Sequence, residues 1–396
     1  MKVLQVNSVC GRGSTGRIAV ALHDALRARG DQCLVAYGRG QHDPDVNAFR
    51  IGSSLSTGLH AGLSRLTDRQ GFYSFAATRR LADRIDEFQP DVIHLHNIHG
   101  YYLNLPVLFG ALERSTAPIV WTLHDCWAFT GHCAYFDFVG CDKWRSFCAR
   151  CPQKHAYPAS YVLDSSRRNF YDKRQLTGAL PDLTLVTPSA WLAGLVTRSF
   201  LKEHPVKVIR NGVDQSVFRP TPSDFKTRHG IKGKFMVLGV ASEWSPRKGL
   251  EDFIELRGRL SDDYVIVLVG VDAKTAGDLP RGVIAIEKTD SASDLAAIYA
   301  AADVFFNPTH EDNYPTTNLE AISCGTPVVT YDTGGSPESV SELSGVVVPE
   351  GDTFQATKAI TGLCQRGSRP SALAWGSFDN GVMTMAYLDL YDRQAS

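Results

Sequence analysis

The chain lacks a surplus of either charge: 41 Lys and Arg stand against 42 Asp and Glu, a formal net charge of -1 over 396 residues. Broad nucleic-acid binding needs an excess of basic surface, so no nucleic-acid partner is expected. Long apolar runs are also missing, and none approaches the roughly 20 residues that span a bilayer. The opening MKVLQVN alternates like a strand and has no apolar secretory core followed by a cleavage site. These absences predict a cytoplasmic protein, with peripheral contact at the inner face of the cell membrane still open to it. The chain has no short-period repeat, no low-complexity tract and no Gly-Lys-Ser/Thr phosphate loop.

What is present is a long alternation of short apolar runs and helical patterns. Val3 to Val6, Cys33 to Tyr37, Val92 to Leu95, Ile119 to Leu123 and Leu183 to Thr187 read as buried strands, the first followed by a glycine-rich turn and a helix. Phe235 to Val240, Tyr264 to Val269, Val283 to Ile286, Val304 to Phe306 and Pro327 to Thr330 repeat the pattern. Strands apolar throughout and separated by helices indicate parallel sheets covered on both faces, an α/β protein. The length exceeds one ordinary core. The division expected is a first Rossmann-like domain over 1–205, a second over 206–375, and a helix over 376–396 returning to the first. Ligands in such folds bind outside the carboxyl ends of the strands.

The stretch HEDNYPTTNLEAISCGTPVVT, His310 to Thr330, carries the densest chemistry. Asp312 and Glu320 bracket a short helix that Pro315 can start and Gly325 can stop. The N-terminus of that helix, at Thr316, Thr317 and Asn318, offers N–H groups and a partial positive charge suited to a phosphate. Acids beside it can hold hydroxyls, so the pair of features points to a nucleotide-sugar. Arg247 and Lys248 stand at a helix start, where cations are disfavoured unless an anion is present; a solvated turn is the plain alternative. Gly13 and Gly16 sit in a loop that follows a strand and opens a helix, a place where backbone approaches an anion, or simply a tight turn. His124 ends a strand, and His94, His96 and His99 end the preceding one; packing is the expected role for those three.

Five of the nine cysteines fall between Cys126 and Cys151. Cys133, Cys141, Cys148 and Cys151 are separated by seven, six and two residues in an insertion near 126–155 that is rich in aromatics and poor in periodicity. Such spacing suits a structural zinc clip, with His132 or Cys126 as substitutes; redox pairing and plain buried thiols remain alternatives.

In combination these motifs resemble a retaining glycosyltransferase of family 4 with the GT-B fold, two Rossmann-like domains facing across a cleft. The resemblance covers nearly the full length. It rests on the glycine loop through Gly16-Arg17-Ile18-Ala19, Thr122-Leu123-His124-Asp125, Asn211-Gly212-Val213-Asp214, Arg247-Lys248-Gly249, the acid block ending Glu320-Ala321, and Gly334-Gly335-Ser336-Pro337-Glu338. The cysteine-bearing stretch from His124 to Cys133 is similar to enzymes of colanic acid and related exopolysaccharide synthesis. The resemblance implies a nucleotide-diphosphate sugar donor held by the second domain, a saccharide or lipid-linked acceptor met chiefly by the first, and no catalytic metal. It implies Glu320 on the donor ribose, Asp312 near the transferred sugar, Lys248 on the diphosphate, His124 beside the sugar and phosphate, and Gly13 and Gly16 facing the diphosphate; Arg247 is the candidate to compensate for the arginine that is missing. Two departures stand out: Asp312 replaces the family's longer acid, and Glu243 occupies the place of its arginine. A nucleotide-sugar epimerase, a glycan phosphorylase and a degenerate sugar-binding protein are the competing readings.

Overall fold

The computed structural model of the chain describes residues 1–180, 182–370 and 376–395. It divides into two units, one of Met1–Arg210 with Met383–Ser396 and one of Asn211–Val382. The sequence reading places the first boundary at 205, short of a strand that pairs into the first sheet; the boundary it draws at 375 lies outside the described residues.

The first unit holds seven parallel strands: β1 (Lys2–Val9), β2 (Gln32–Arg39), β3 (Ala48–Arg50), β4 (Val92–Leu95), β5 (Ile119–Thr122), β6 (Leu183–Thr187) and β7 (Val206–Val208). Their order is β3-β2-β1-β4-β5-β6-β7, so the winding reverses between β1 and β4. The register is continuous there, Val3 opposite Val92 and Val6 opposite Leu95. Every residue of β4, β5 and β6 is buried, as expected for strands covered on both faces. β3 and β7 are three-residue edge strands whose exposed, mixed sequences give no apolar run to read.

The second unit repeats the plan with β8 (Phe235–Val240), β9 (Tyr264–Val269), β10 (Val283–Ile286), β11 (Val304–Asn307), β12 (Val328–Tyr331) and β13 (Gly345–Val348) in the order β10-β9-β8-β11-β12-β13. Its winding reverses between β8 and β11, again with parallel pairing. Fully buried Val237, Ile266, Leu268, Val304, Phe306 and Val329 fill one side of this sheet, and each contributes about 1.5–3 kcal/mol by leaving water.

The C-terminal helix, Asn380–Ala395, belongs to the first unit for most of its length. The aliphatic spacing in the sequence nominates Val382, Met385, Ala386, Leu388 and Leu390 for its apolar face. The buried face is instead Met383, Thr384, Tyr387, Leu390 and Tyr391, while Val382 and Met385 are exposed. The reason is polar: Tyr391 Oη meets His94 Nδ1 at 2.6 Å, and Tyr387 Oη meets Thr122 Oγ1 at 2.9 Å. Two tyrosines bury large rings and satisfy their hydroxyls on β4 and β5, a pairing that aliphatic periodicity cannot register.

Candidate active site

In the second unit the loops after β8 and β11, the two strands at the reversal, bring the basic pair and Asp312 together. β8 runs out into Glu243, which is exposed, and Trp244, whose Nε1 donates to Val269 O at 3.0 Å. A single turn then presents Arg247 and Lys248. Gly249 closes that turn at φ +74°, and a Cβ there would collide with the Pro308 carbonyl. Only glycine allows the β8 loop to lie this close to the end of β11.

Lys248 Nζ lies 2.5 Å from Asp312 Oδ2. Arg247 grips the same loop, its Nη1 donating to Glu311 O at 2.7 Å while its own carbonyl accepts from His310 N at 2.9 Å. Thr309 and Gly335 complete the frame: Thr333 Oγ1 donates to Thr309 O at 2.7 Å, and Gly335 N donates to Asp312 O at 3.0 Å. Asp312 and Lys248 are half-buried, whereas Glu311 is buried. The ion pair with Lys248 is made by Asp312.

The helix Thr316–Ser323 starts directly after Pro315, which takes the cap position without a side-chain cap. Asn318 N turns back to Pro315 O at 3.1 Å. The N–H groups of Thr316 and Thr317 lie in the first turn, outside the helical ladder, and both residues are half-exposed. The Asn318 side chain is buried, with Oδ1 accepting from Asn307 Nδ2 at 2.8 Å and Nδ2 donating to Ser339 Oγ at 2.8 Å. It fastens the helix to β11. Glu320, two residues further, is buried and accepts from Tyr299 Oη at 3.2 Å. Beside this group His310 bridges Asp252 and Glu350, at 2.9 Å to each, and the Asp252 carboxylate raises its pKa. The sequence reading passed over that bridge because its members are scattered along the chain.

The first unit gathers its own set at the β1/β4 reversal. Gly13, exposed and at φ +62°, begins the Gly13–Ala28 helix. Gly16 is buried under the loop, where a Cβ would press on Gly11 N at 3.1 Å and Val9 Cγ2 at 3.2 Å. His124, at the end of β5, meets His96 Nδ1 through Nε2 at 3.2 Å, and His96 Nε2 meets Gln5 Oε1 at 3.1 Å. His99 pairs with Asp125 at 2.8 Å. Burial holds His124 neutral, its pKa pushed down to about 4. Burial opposes ionisation of Asp125, but His99 keeps its carboxyl below the usual range. His94 and His96 pack inside, as the sequence led one to expect, and burial lowers both well below the ordinary histidine range.

These neutral histidines make stability acid-sensitive. His60 and His124 have folded pKa values of about 4 against 6.5 for the free side chain. The unfolded chain therefore takes up protons first, and stability falls as pH drops from 6.5 toward 4. At pH 5 each costs on the order of 2 kcal/mol relative to neutrality. His310, raised by its acids, works in the opposite direction. Thermal melting should show a lower Tm at pH 5 than at pH 7.5, and His60→Gln should flatten the dependence. An equal or higher Tm at pH 5 contradicts this reading.

Cys133, Cys141, Cys148 and Cys151 line one small cavity together with His132 and Thr130. The thiols of Cys133 and Cys151 are hydrogen-bonded to each other, and His132 Nδ1 is held by Asp68. All nine cysteines are free, and among the described residues no three His, Cys, Asp or Glu side chains stand where they would hold a metal ion as they lie. Lys173 is buried beside this region, its amine donating to Trp127 O and lying 3.9 Å from the Trp127 ring centroid. Burial lowers its pKa to about 7.

Two parallel, doubly wound sheets, with a basic pair and Asp312 at the reversal of the second, fit the GT-B class of sugar-transferring enzymes. Residues 15–217 match the model of Glycosyltransferase Family 4, and residues 234–366 match Glycosyl transferases group 1. The chain belongs to glycosyltransferase family 4. It is 26% identical over 371 residues to the putative colanic acid biosynthesis glycosyl transferase WcaC of Escherichia coli (strain K12), covering 90% of this chain and 89% of that protein. It is 28% identical over 332 residues to a D-inositol 3-phosphate glycosyltransferase of Saccharomonospora viridis, covering 76% of this chain and 69% of that one. Among solved structures, sucrose-phosphate synthase from Thermosynechococcus elongatus superposes with a TM-score of 0.71 at 16% identity, over 99% of both chains. Anabaena Alr3699/HepE in complex with UDP gives 0.67 at 18% identity, over 99% of this chain and 100% of that one.

Proposed function

We propose that this glycosyltransferase moves a hexose, with retention, from a UDP- or GDP-type sugar to a saccharide acceptor carried on a lipid, in bacterial exopolysaccharide synthesis. The observation that carries the reading is the Lys248–Asp312 pair at 2.5 Å, set between the β8 and β11 loops just ahead of the Thr316–Ser323 helix. A diphosphate arriving at Thr316 and Thr317 would meet first-turn N–H groups and draw Lys248 from Asp312. Asp312 would then turn to the sugar, and Glu320 to the ribose. Lys248, Arg247 and the helix N-terminus would stabilise the leaving diphosphate; His124 of the first unit, neutral at physiological pH, would offer hydrogen bonds rather than charge. The likeness to a colanic acid glycosyltransferase supports the pathway, and the UDP bound by HepE supports the donor class.

The experiment is a panel of UDP- and GDP-hexoses with candidate acceptors, followed by nucleoside diphosphate release. Release that depends on acceptor supports transfer, and an α product from an α donor supports retention. Conversion of the donor sugar without release of diphosphate would support the epimerase reading instead.

Arg247 stands in for the arginine that Glu243 replaces. Arg247→Ala should lower kcat by about 10- to 100-fold, with Arg247→Lys intermediate, because the guanidinium both faces the diphosphate and fixes the Glu311 carbonyl. Full activity in Arg247→Ala would remove it from the site.

The cysteine cavity is proposed to hold a structural zinc ion, with thiol rotations drawing Cys133, Cys141, Cys148 and Cys151 together. Metal analysis of the purified chain should find one zinc per chain, lost in Cys148→Ser/Cys151→Ser. Zinc-free protein with freely titratable thiols would rule this out.

A further inference from the structure

The Ser54–Thr67 helix is turned inside out. Its fully buried residues are His60 and Ser64, whereas Leu55, Leu59 and Leu66 are 84%, 64% and 54% exposed. At 3.6 residues per turn these three leucines share one face with Gly58 and Gly62. The helix is held by polar contacts instead: His60 Nδ1 meets Ser74 Oγ at 2.8 Å, and Gly71 N donates to His60 Nε2 at 3.2 Å.

A second segment extends the same face. Tyr161 N donates to Arg65 O at 2.7 Å and Leu163 N to Leu66 O at 3.0 Å, so residues 161–163 run along the end of the helix. Tyr161, Val162 and Leu163 are 62%, 60% and 54% exposed there. Phe75, which opens the next helix, is also exposed.

The exposed charges around this patch are mostly basic, with Asp164 beside Leu163 and Asp83 one turn past Arg79 as the acids. Arg50 donates to Ser54 Oγ at the start of the helix, Arg65 lies near its end, Lys154 Nζ lies 3.4 Å from Val162 O, and Arg79 follows Phe75 by one turn. Within residues 48–82, Arg50, Arg65, Arg79 and Arg80 are exposed, Arg69 is paired with Asp172, and the one acid, Asp68, is buried against His132. In a chain of net charge -1 this is a local surplus of base. A second copy docked face to face would set arginine against arginine. A leucine face edged mainly by base fits a surface that is apolar beneath and anionic above.

We propose that this face seats the chain on an anionic lipid bilayer, with the leucines and Tyr161–Leu163 in the boundary between headgroups and acyl chains and the basic residues on lipid phosphates. No helix among the described residues is long and apolar enough to cross a membrane, so the contact is peripheral. It gives physical content to a lipid-carried acceptor, and it is tested without any substrate, so its failure would leave the donor-site reading intact.

The test is co-sedimentation of the full chain with vesicles of phosphatidylcholine alone and of phosphatidylcholine mixed with phosphatidylglycerol. The chain should sediment with the anionic vesicles, less so at high salt, and only weakly with the neutral ones. Leu55→Ser/Leu59→Ser/Leu66→Ser should lower the partition coefficient by on the order of a hundredfold. Arg65→Gln/Arg79→Gln should lower it by about tenfold on anionic vesicles alone. Both variants change exposed side chains and should keep the wild-type melting temperature. Absence of vesicle binding, or binding unchanged in the leucine variant, would overturn the proposal. So would a wild-type dimer in sedimentation velocity that the leucine variant abolishes while vesicles go unbound, since the face would then belong to a second copy.

Discussion

Lys248→Ala lowers kcat by on the order of 10²- to 10³-fold, the loss expected when one preorganised donor to a developing anion is removed. The amine is half-buried and 2.5 Å from Asp312, on a turn that Gly249 fixes against Pro308, so its backbone is placed before any ligand arrives. Truncation removes a cation from the diphosphate and leaves the Asp312 carboxylate facing it, and both effects act in the same direction. Lys248→Arg keeps the charge and should recover part of the rate. Asp312→Asn separates the two roles. If the acid only parks the lysine, donor affinity rises and turnover survives; if it also touches the transferred sugar, turnover falls while nucleotide affinity holds. Lys248→Ala with wild-type kcat would remove the diphosphate from this loop altogether.

Glu320→Gln acts differently. Glu320 is buried one turn inside the helix and accepts from Tyr299 Oη at 3.2 Å, so its backbone position does not depend on the ligand. A carboxylate accepting hydroxyl hydrogen bonds from a ribose contributes about 1.5–3 kcal/mol for each charged hydrogen bond. Its replacement should raise KM for the donor by about 10- to 100-fold and change kcat little, the signature of binding shared by ground and transition states. Glutamine keeps the shape and an acceptor for Tyr299, so the melting temperature should hold. A fall in kcat at unchanged KM would move Glu320 from the ribose to the reacting centre.

The central strands were legible because apolar residues dominate them, as in YVIVLV of β9, whereas the edge strands β3 (Ala-Phe-Arg) and β7 (Val-Lys-Val) are three residues long and carry a charge. The short helix after Pro315 was legible from proline and glycine alone. The Lys248–Asp312 pair joins residues whose loops meet through sheet order, with β11 beside β8 rather than after it in sequence. Spacing named both members, and only topology pairs them. The His310 bridge to Asp252 and Glu350, the tyrosines of the C-terminal helix on His94 and Thr122, and the buried amine of Lys173 are long-range polar contacts. Periodicity carries no information about such contacts, because the partners share neither a turn nor a strand. Helix Ser54–Thr67 is a further case: Leu55, Leu59 and Leu66 face solvent while His60 and Ser64 are buried.

The most direct measurement is calorimetric titration of the chain with UDP and GDP, repeated on Lys248→Ala and Glu320→Gln. One nucleotide should bind clearly more tightly than the other, and each substitution should weaken that binding by about tenfold or more. Absence of binding by either nucleotide, or affinity unchanged in both variants, would contradict a donor site built on the β8 and β11 loops.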